Sequence, residues 1–409
     1  MKYFRNTELA KIYHVSEKSV RNWIEATQAG KLDLQLHQEK DKFFVANVNS
    51  NTALIEKLVE KGKKFKNKRG FRAISPADDF YKIYSPKQIQ DIISNLSIHH
   101  EIPVQYTYIN GGASYWDDYA NRMAQEASPN VLRQTIELID ETFKNIDKLI
   151  GGRRVNIVDL GPGNGLPVRP LVGNLLAQDR LNRYVAIDCS TSLMDILTQN
   201  FDSWFDGKVQ PECHIRDFAT ERIDDLVRAD YSGNDEDAPV NVVLLFGGTL
   251  SNFRRPDRVL QLISSCLGPN DLLIYSGYLD TPETRRYFDF DTSGSSQKLT
   301  PKHRLILSHL NIDESLYGVE RKYDENIGAR SISFIPNIDI SIDIETERNT
   351  HRIELKKGEP ILMWRHWHRE AVAIVNQFDQ NDFDVMQVTK SSDNQYVLVT
   401  SRIKRVQQF

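Results

Sequence analysis

Residues 155–167 read VNIVDLGPGNGLP. A short β-branched run closes on an acid, Asp159, and then on Gly161, Gly163 and Gly165, each separated from the next by one residue. Apolar runs that end in such a turn mark the first strand of nucleotide-type sites. Two familiar versions of the turn are excluded. A dinucleotide fingerprint needs its third glycine three residues after the second, and here Leu166 follows Gly165 with no glycine in that place. A phosphate loop needs Lys-Ser or Lys-Thr, which is absent. What remains is a tight turn that lets backbone approach a ligand without phosphates, because glycine accepts positive φ and carries no Cβ to strike it.

Outward from this turn, strands and helices alternate. VNIVDL, RYVAIDCS, PECHIRDF, VNVVLLFGG and DLLIYSGYL read as strands. The segments VRPLVGNLLAQ, SLMDILTQNF, ERIDDLVRAD and RPDRVLQLISSCL between them read as helices. That order predicts an α/β fold with a parallel, doubly wound sheet, whose crevice lies at the carboxyl ends of the strands. The second strand ends in Asp188, where a carboxylate can accept both hydroxyls of a ribose. The third ends in Asp217-Phe218, an acceptor for an adenine amine beside an aromatic face. A glycine turn and two acids at successive strand ends fit S-adenosylmethionine (SAM). The expected cofactor set is Asp159, Gly161, Gly163, Asn164, Asp188, Asp217, Phe218 and Gly247.

The chain ends in FDVMQVTKSSDNQYVLVTSRI, two strands joined by a polar turn. Five strand–helix units closed by such a hairpin resemble the class I methyltransferase fold, a Rossmann-like sheet that uses SAM. LLFGGTLSNF (244–253), VDLGPGNG, YVAIDCS and the tract LILSHLNIDESLYGVERKYDENIGARSISFI are similar to the histidine-specific, SAM-dependent methyltransferase family, whose best-known member methylates the α-amine of histidine in ergothioneine biosynthesis. The resemblance runs over about residues 75–409 and implies a SAM-binding core with a substrate-binding insertion. It places Asn252 on the amino-acid group of the substrate. The sequence departs from the family where a Glu and a Ser grip the imidazole: PILMWRHWHRE (360–370) offers Trp364 and His366 there. The family's LPEYYPTR-like substrate segment is also missing. Methyl transfer to a small amine or amino-acid-like acceptor other than histidine is therefore expected. Tyr108 and Tyr115, in a Tyr-rich stretch (105–123) read as a loop, join Asn252, Trp364 and His366 as candidate acceptor-binding residues. Trp364, His366 and His368 alternate and would share one strand face, an aromatic and imidazole wall for a ring-shaped or cationic acceptor. The two His lack a visible third ligand, so no metal is expected. No catalytic residue is assigned, since an activated methyl group asks mainly for positioning and for loss of a proton from the amine.

The amino-terminal segment is different in kind. Residues 1–75 hold sixteen Lys and Arg against eight Asp and Glu, a balance of +8 in a chain whose net charge is −4. TELAKIYH and EKSVRNWIEAT read as two helices, with Leu9, Ala10 and Tyr13 on one face of the first and Val20, Trp23 and Ile24 on one face of the second, which Ser16 can cap. LQLHQEKDKFFVANV reads as a hairpin and NTALIEKLVEKGKKF as a third helix. The whole resembles a winged helix-turn-helix of the MerR and excisionase type. The resemblance implies that Lys18, Ser19, Arg21 and Asn22 meet bases or phosphates of DNA or RNA, with the lysine-rich run 61–72 on the phosphate backbone. The same residues also suit a protein-docking module. Two functions then stand open: an enzyme positioned or regulated by its basic head, or a transcription regulator whose methyltransferase-like domain senses SAM or a metabolite.

The expected organisation is a winged helix-turn-helix over 1–70, a helical and Tyr-rich substrate-side segment over 71–150, the SAM-binding core over 151–280, an inserted substrate or lid subdomain over 281–380, and the closing hairpin over 381–409. No apolar stretch reaches membrane-spanning length, and the start MKYFRNTELAKIYHV has no signal-peptide pattern. Cys189, Cys213 and Cys266 are far apart and form no metal-type pair, which suits a reducing, cytoplasmic setting. The acidic run GNDEDAP (233–239) reads as a solvated loop.

Overall fold

The computed structural model describes the chain except residues 1–2, 14, 16, 40–41, 68–69, 127, 129, 229–237, 288–297, 348 and 405–409, and it describes only the backbone of 60–67. Ser16 and most of the acidic run therefore lie outside the described residues. The chain forms two compact units: residues 1–73 with Asp339–Ser341, and Ile74–Ile338 with Ile342–Phe409.

In the first unit, helices Asn6–Ile12, Glu17–Gln28 and Asn49–Asn67 accompany a three-stranded antiparallel sheet. Its strand Lys42–Ala46 lies between Tyr3–Phe4 and Leu36–Glu39. Leu9, Val20, Ile24, Leu34, Val45 and Ile55 are the core, with Tyr13 and Trp23 packed against it. Asn51, buried, ties the third helix to the sheet: its Oδ1 accepts the Gln35 N–H, and its Nδ2 donates to the carbonyls of Gln35 and Ala46.

The second unit is built on a seven-stranded sheet. In chain order its strands are Val155–Leu160, Leu181–Asp188, Glu212–Ile215, Val240–Leu245, Leu272–Tyr278, Phe383–Lys390 and Tyr396–Ile403. Numbered so, their spatial order is 6-7-5-4-1-2-3. Strands 1 to 5 pair in parallel, and strand 7 runs antiparallel to both strand 5 and strand 6. This is the class I methyltransferase sheet. The central strands 1 and 4 are buried along their whole length, as both faces are covered. The order reverses between strands 1 and 4, which opens a crevice at their carboxyl ends. Helix Ala371–Gln380 packs on the sheet through Ile374 and Phe378. Between strand 5 and that helix, Tyr317–Asp324, Ala329–Pro336 and Ile361–Trp367 form an antiparallel sheet of their own.

Three expectations need correction. The Tyr-rich stretch is a 3-10 turn, Val104–Tyr108, followed by helix Gly111–Gln125, not a loop. Its glycine pair is a close packing point: a Cβ on Gly112 would lie 2.0 Å from the Thr107 carbonyl oxygen. Strand 3 ends at Ile215, because the Arg216 N–H makes its bond to the Asp188 carbonyl and Asp217 then folds back, accepting the Ala219 N–H at 3.0 Å. The helix expected over 221–230 is one turn, Asp224–Val227. Arg228 leaves it to donate to the carbonyls of Ser265, Cys266 and Leu267.

At the opposite edge, the amino ends of strands 2, 1, 4 and 5 are tied by one row of side chains. Asn182 Nδ2 donates to Asn156 Oδ1 at 2.7 Å, Asn156 Nδ2 to Asn241 Oδ1 at 3.0 Å, and Asn241 Nδ2 to Asp271 Oδ1 at 3.0 Å. Gly268 N–H closes the row on Asp271 Oδ2. Asn156, Asn241 and Asp271 are all buried. Removing one member strands its neighbours' polar atoms away from water, which costs more than the bond itself. Asn156→Leu should lower the unfolding free energy by roughly 2–4 kcal/mol in urea titration. A loss under about 0.5 kcal/mol would show that the row is not structural.

Candidate active site

The glycine turn after strand 1 takes φ values of +71° at Gly161, +60° at Gly163 and +82° at Gly165. These are left-handed conformations that favour glycine. A Cβ on Gly163 would lie 2.7 Å from Trp116 Nε1, so the indole from helix Gly111–Gln125 lies directly on the turn. Asn164 binds turn and helix together: its Nδ2 donates to Asp117 Oδ1 at 2.7 Å, and its Oδ1 accepts the Leu166 N–H. Ser190 does the same at the end of strand 2. It caps helix Thr191–Phe205 at Leu193, donates its hydroxyl to the Tyr108 carbonyl at 2.8 Å, and gives its N–H to Asp188.

These elements enclose a cavity lined by Asp159, Gly161, Asn164, Asp188, Asp217 and Phe218, with Gly247 and Asn252 opposite. Of the expected cofactor residues only Gly163 is not on its wall. Its acids are withdrawn from water. Burial pushes the Asp159 carboxyl up to about 7, against the pull of the Tyr184 hydroxyl that donates to it at 2.7 Å. Burial pushes Asp188 up to about 6, opposed by the N–H groups of Ser190 and Cys189. Asp217 is raised by the same cause. No basic side chain pairs with Asp159 or Asp188 among the described residues. Carboxylates without a cationic partner, beside a turn stripped of Cβ atoms and next to Phe218 and Phe246, suit a ligand that brings hydroxyls, an amine and a flat ring.

A second cavity shares Tyr108, Trp116, Met123, Val131, Gly247 and Asn252 with the first. Tyr115, Tyr278, Trp364, His366, Lys302 and His303 complete much of its wall. All five residues expected to bind the acceptor (Asn252, Tyr108, Tyr115, Trp364 and His366) line this space. Trp364 and His366 stack at 5.8 Å between ring centres, and His366 Nδ1 lies 3.4 Å from Asn252 Oδ1. His368, the third member of the alternation, is buried and its ring centre lies 5.1 Å from that of His366. Among the described residues no cluster of His, Cys, Asp or Glu could hold a metal ion.

Sequence reasoning missed Trp116, Lys302, His303 and Tyr278. Trp116 was concealed by reading its stretch as a loop; on a helix, Tyr115, Trp116, Tyr119 and Met123 fall on one side at the wall of the second cavity. Lys302 and His303 open helix Pro301–His309 and reach the cavity only through the tertiary fold, with no local signal. In the first unit, Lys18, Arg21 and Asn22 are exposed on the second helix and Ser19 is half-buried.

No helix among the described residues is long and apolar enough to cross a membrane. No curated protein matches the chain in sequence. Similar solved structures include a SAM-dependent methyltransferase from Clostridium acetobutylicum, with 11% identity and a TM-score of 0.39, covering 71% of this chain and 99% of that one. The CcbJ methyltransferase from Streptomyces caelestis shows 13% identity and a TM-score of 0.37, covering 68% and 97%. The magnesium protoporphyrin IX methyltransferase from Synechocystis, with bound S-adenosylhomocysteine, shows 11% identity and a TM-score of 0.39, covering 73% and 98%. The description "Histidine-specific methyltransferase, SAM-dependent" matches residues 88–403. That span exceeds half of the chain, and the protein belongs to this family of SAM-dependent methyltransferases.

Proposed function

We propose that the chain methylates a nitrogen of a small, ring-bearing amine or amino-acid-like acceptor other than histidine. The observation that carries the reading is the shared wall of the two cavities. Cofactor and acceptor would meet across Tyr108, Trp116, Gly247 and Asn252. In this reading Asp188 accepts the ribose hydroxyls, Asp217 and Phe218 take the adenine, and the Gly161–Gly163 turn with Asp159 faces the amino-acid end. When bound, SAM supplies a methyl group already activated on a sulfonium. The protein's own part is to align the acceptor, exclude water and leave the nitrogen unprotonated. Asn252 orients the acceptor, and the Trp364–His366 pair walls its ring. Where the family grips an imidazole with a Glu and a Ser, this strand presents an indole and an imidazole. A buried imidazole substrate would lose those polar partners, which discriminates strongly against it.

Incubating the full chain with SAM and a panel of amino acids, ring-bearing amines and free histidine, with methylated products read by mass, tests the reading. Conversion of a panel member at least a hundredfold faster than histidine is expected. Rapid trimethylation of histidine would overturn it, as would no methylation of any member.

The cofactor assignment predicts opposite effects of one substitution. Asp188 in the folded protein ionises near 6, above the ordinary carboxylate value, so its charge opposes folding above about pH 6 and that penalty is relieved as pH falls toward 4. Asp188→Asn should stabilise the ligand-free protein at pH 8 by roughly 1–3 kcal/mol. It should also weaken S-adenosylhomocysteine binding by about 1.5–3 kcal/mol for each charged hydrogen bond lost. In the wild type, affinity should rise with pH through about 6, as the carboxyl ionises. Calorimetry showing unchanged affinity in Asp188→Asn would remove this residue from the site.

The first unit we read as a winged helix-turn-helix that contacts nucleic acid through charge. Its support is the order of three helices with an antiparallel sheet, the exposure of Lys18, Arg21 and Asn22, and the +8 balance of residues 1–75. If its cations meet phosphates, the full chain should bind duplex DNA or RNA with a log–log salt slope of about −0.9 per contact. Lys63, Lys64 and Lys66 changed together to Gln should weaken all sequences alike, while Arg21→Ala should relax sequence preference. No gel retardation at low salt would leave the docking reading instead.

A further inference from the structure

The second cavity has an unusual polar inventory. Its polar lining residues include Asn252, Thr300, Lys302, His303 and His366, and no Asp or Glu is on its wall. Lys302 Nζ donates to the Tyr108 hydroxyl at 2.8 Å and sits 4.2 Å from the centre of that ring and 5.6 Å from the Trp116 ring. No carboxylate pairs with it among the described residues. Aromatic faces partly compensate this half-buried cation, but an ammonium has three N–H groups and this one has a single acceptor there. Burial alone pushes its pKa down to about 7, the mark of a cation short of partners. His303, also buried, has Nδ1 within 2.7 Å of the Thr300 hydroxyl, while its Nε2 has no partner.

We infer that Lys302 is the counter-ion for an anionic group of the acceptor, so that this cavity takes a flat, ring-bearing compound carrying a carboxylate. The inference rests on the proposed acceptor site and narrows it. The aromatic walls fit the ring, and the cavity offers positive charge with no negative charge opposite. A carboxylate gives Lys302 charge-assisted bonds that water or a neutral group gives less well. A purely cationic acceptor would find no counter-charge on this wall and would be repelled by Lys302. Charge thus selects among compounds that the aromatic wall alone would treat alike.

The test uses the full chain saturated with S-adenosylhomocysteine and two matched probe pairs: phenylacetate with phenylacetamide, and indole-3-acetate with indole-3-acetamide. By calorimetry, at least one carboxylate should bind tenfold or more tightly than its amide. Lys302→Met, which keeps the bulk of the stem, should erase that preference, and Lys302→Arg should retain part of it. Lys302→Met should still bind S-adenosylhomocysteine, which reports an intact fold. Equal affinity within both pairs, no measurable carboxylate binding, or a preference that survives in Lys302→Met would each overturn the inference. Failure of the wild type to bind S-adenosylhomocysteine would count instead against the cofactor site.

Discussion

The two edges of the central sheet hold their polar side chains differently: at one they bind one another across the strands, and at the other acids stand without cationic partners among the described residues. At the amino edge, the asparagine row from Asn182 to Asp271 binds four neighbouring strands with their side-chain partners in place. At the carboxyl edge, Asp159 and Asp188 are buried and Asp217 half-buried, without cationic partners among the described residues, and burial raises all three. Desolvated acceptors of this kind are unfavourable to the fold unless something binds them. The sheet can carry them because its other edge is secure and its strands 1 and 4 are buried throughout.

That edge also explains why much of the architecture was legible before the structure. Parallel strands covered on both faces must be apolar runs, and each must end where the chain leaves the sheet. VNIVDL and YVAID therefore announce both the strand and the acid at its end. The closing hairpin was legible for a related reason: its turn KSSDNQ is polar between two alternating runs. Sequence reasoning failed where meaning depends on packing. The pair Gly111–Gly112 reads as loop punctuation, yet Gly112 is a contact point between helix and turn, where any Cβ would strike the Thr107 carbonyl. Asp217 was placed at a strand end, but a strand stops where its last ladder bond is made, and the local sequence does not mark that point. Lys302 carried no signal, since nothing in TPKHR says that its lysine will face Tyr108.

The second cavity shows how membership of a family constrains a substrate without naming it. The fourth-strand turn resembles the family's, and Asn252 stands on the wall of both cavities. On the proposed acceptor wall, Trp364 and His366 are stacked on each other and buried, so they present faces and edges, not a carboxylate. Further polar groups on that wall come from a different element, the start of helix Pro301–His309. In the proposed reading the two halves meet along a shared wall.

That wall is held from two sides. Trp116 lies on the glycine turn, and Asp117, the next residue, holds Asn164 within that turn. One turn of helix therefore touches the proposed cofactor cavity from above and forms the side of the acceptor cavity. Tyr108 is held from the other direction, its carbonyl by Ser190 at the end of strand 2 and its hydroxyl by Lys302. Ser190 in turn gives its N–H to Asp188. Three hydrogen bonds thus connect the proposed cofactor and acceptor sites: Ser190 N–H to Asp188, the Ser190 hydroxyl to the Tyr108 carbonyl, and Lys302 to the Tyr108 hydroxyl.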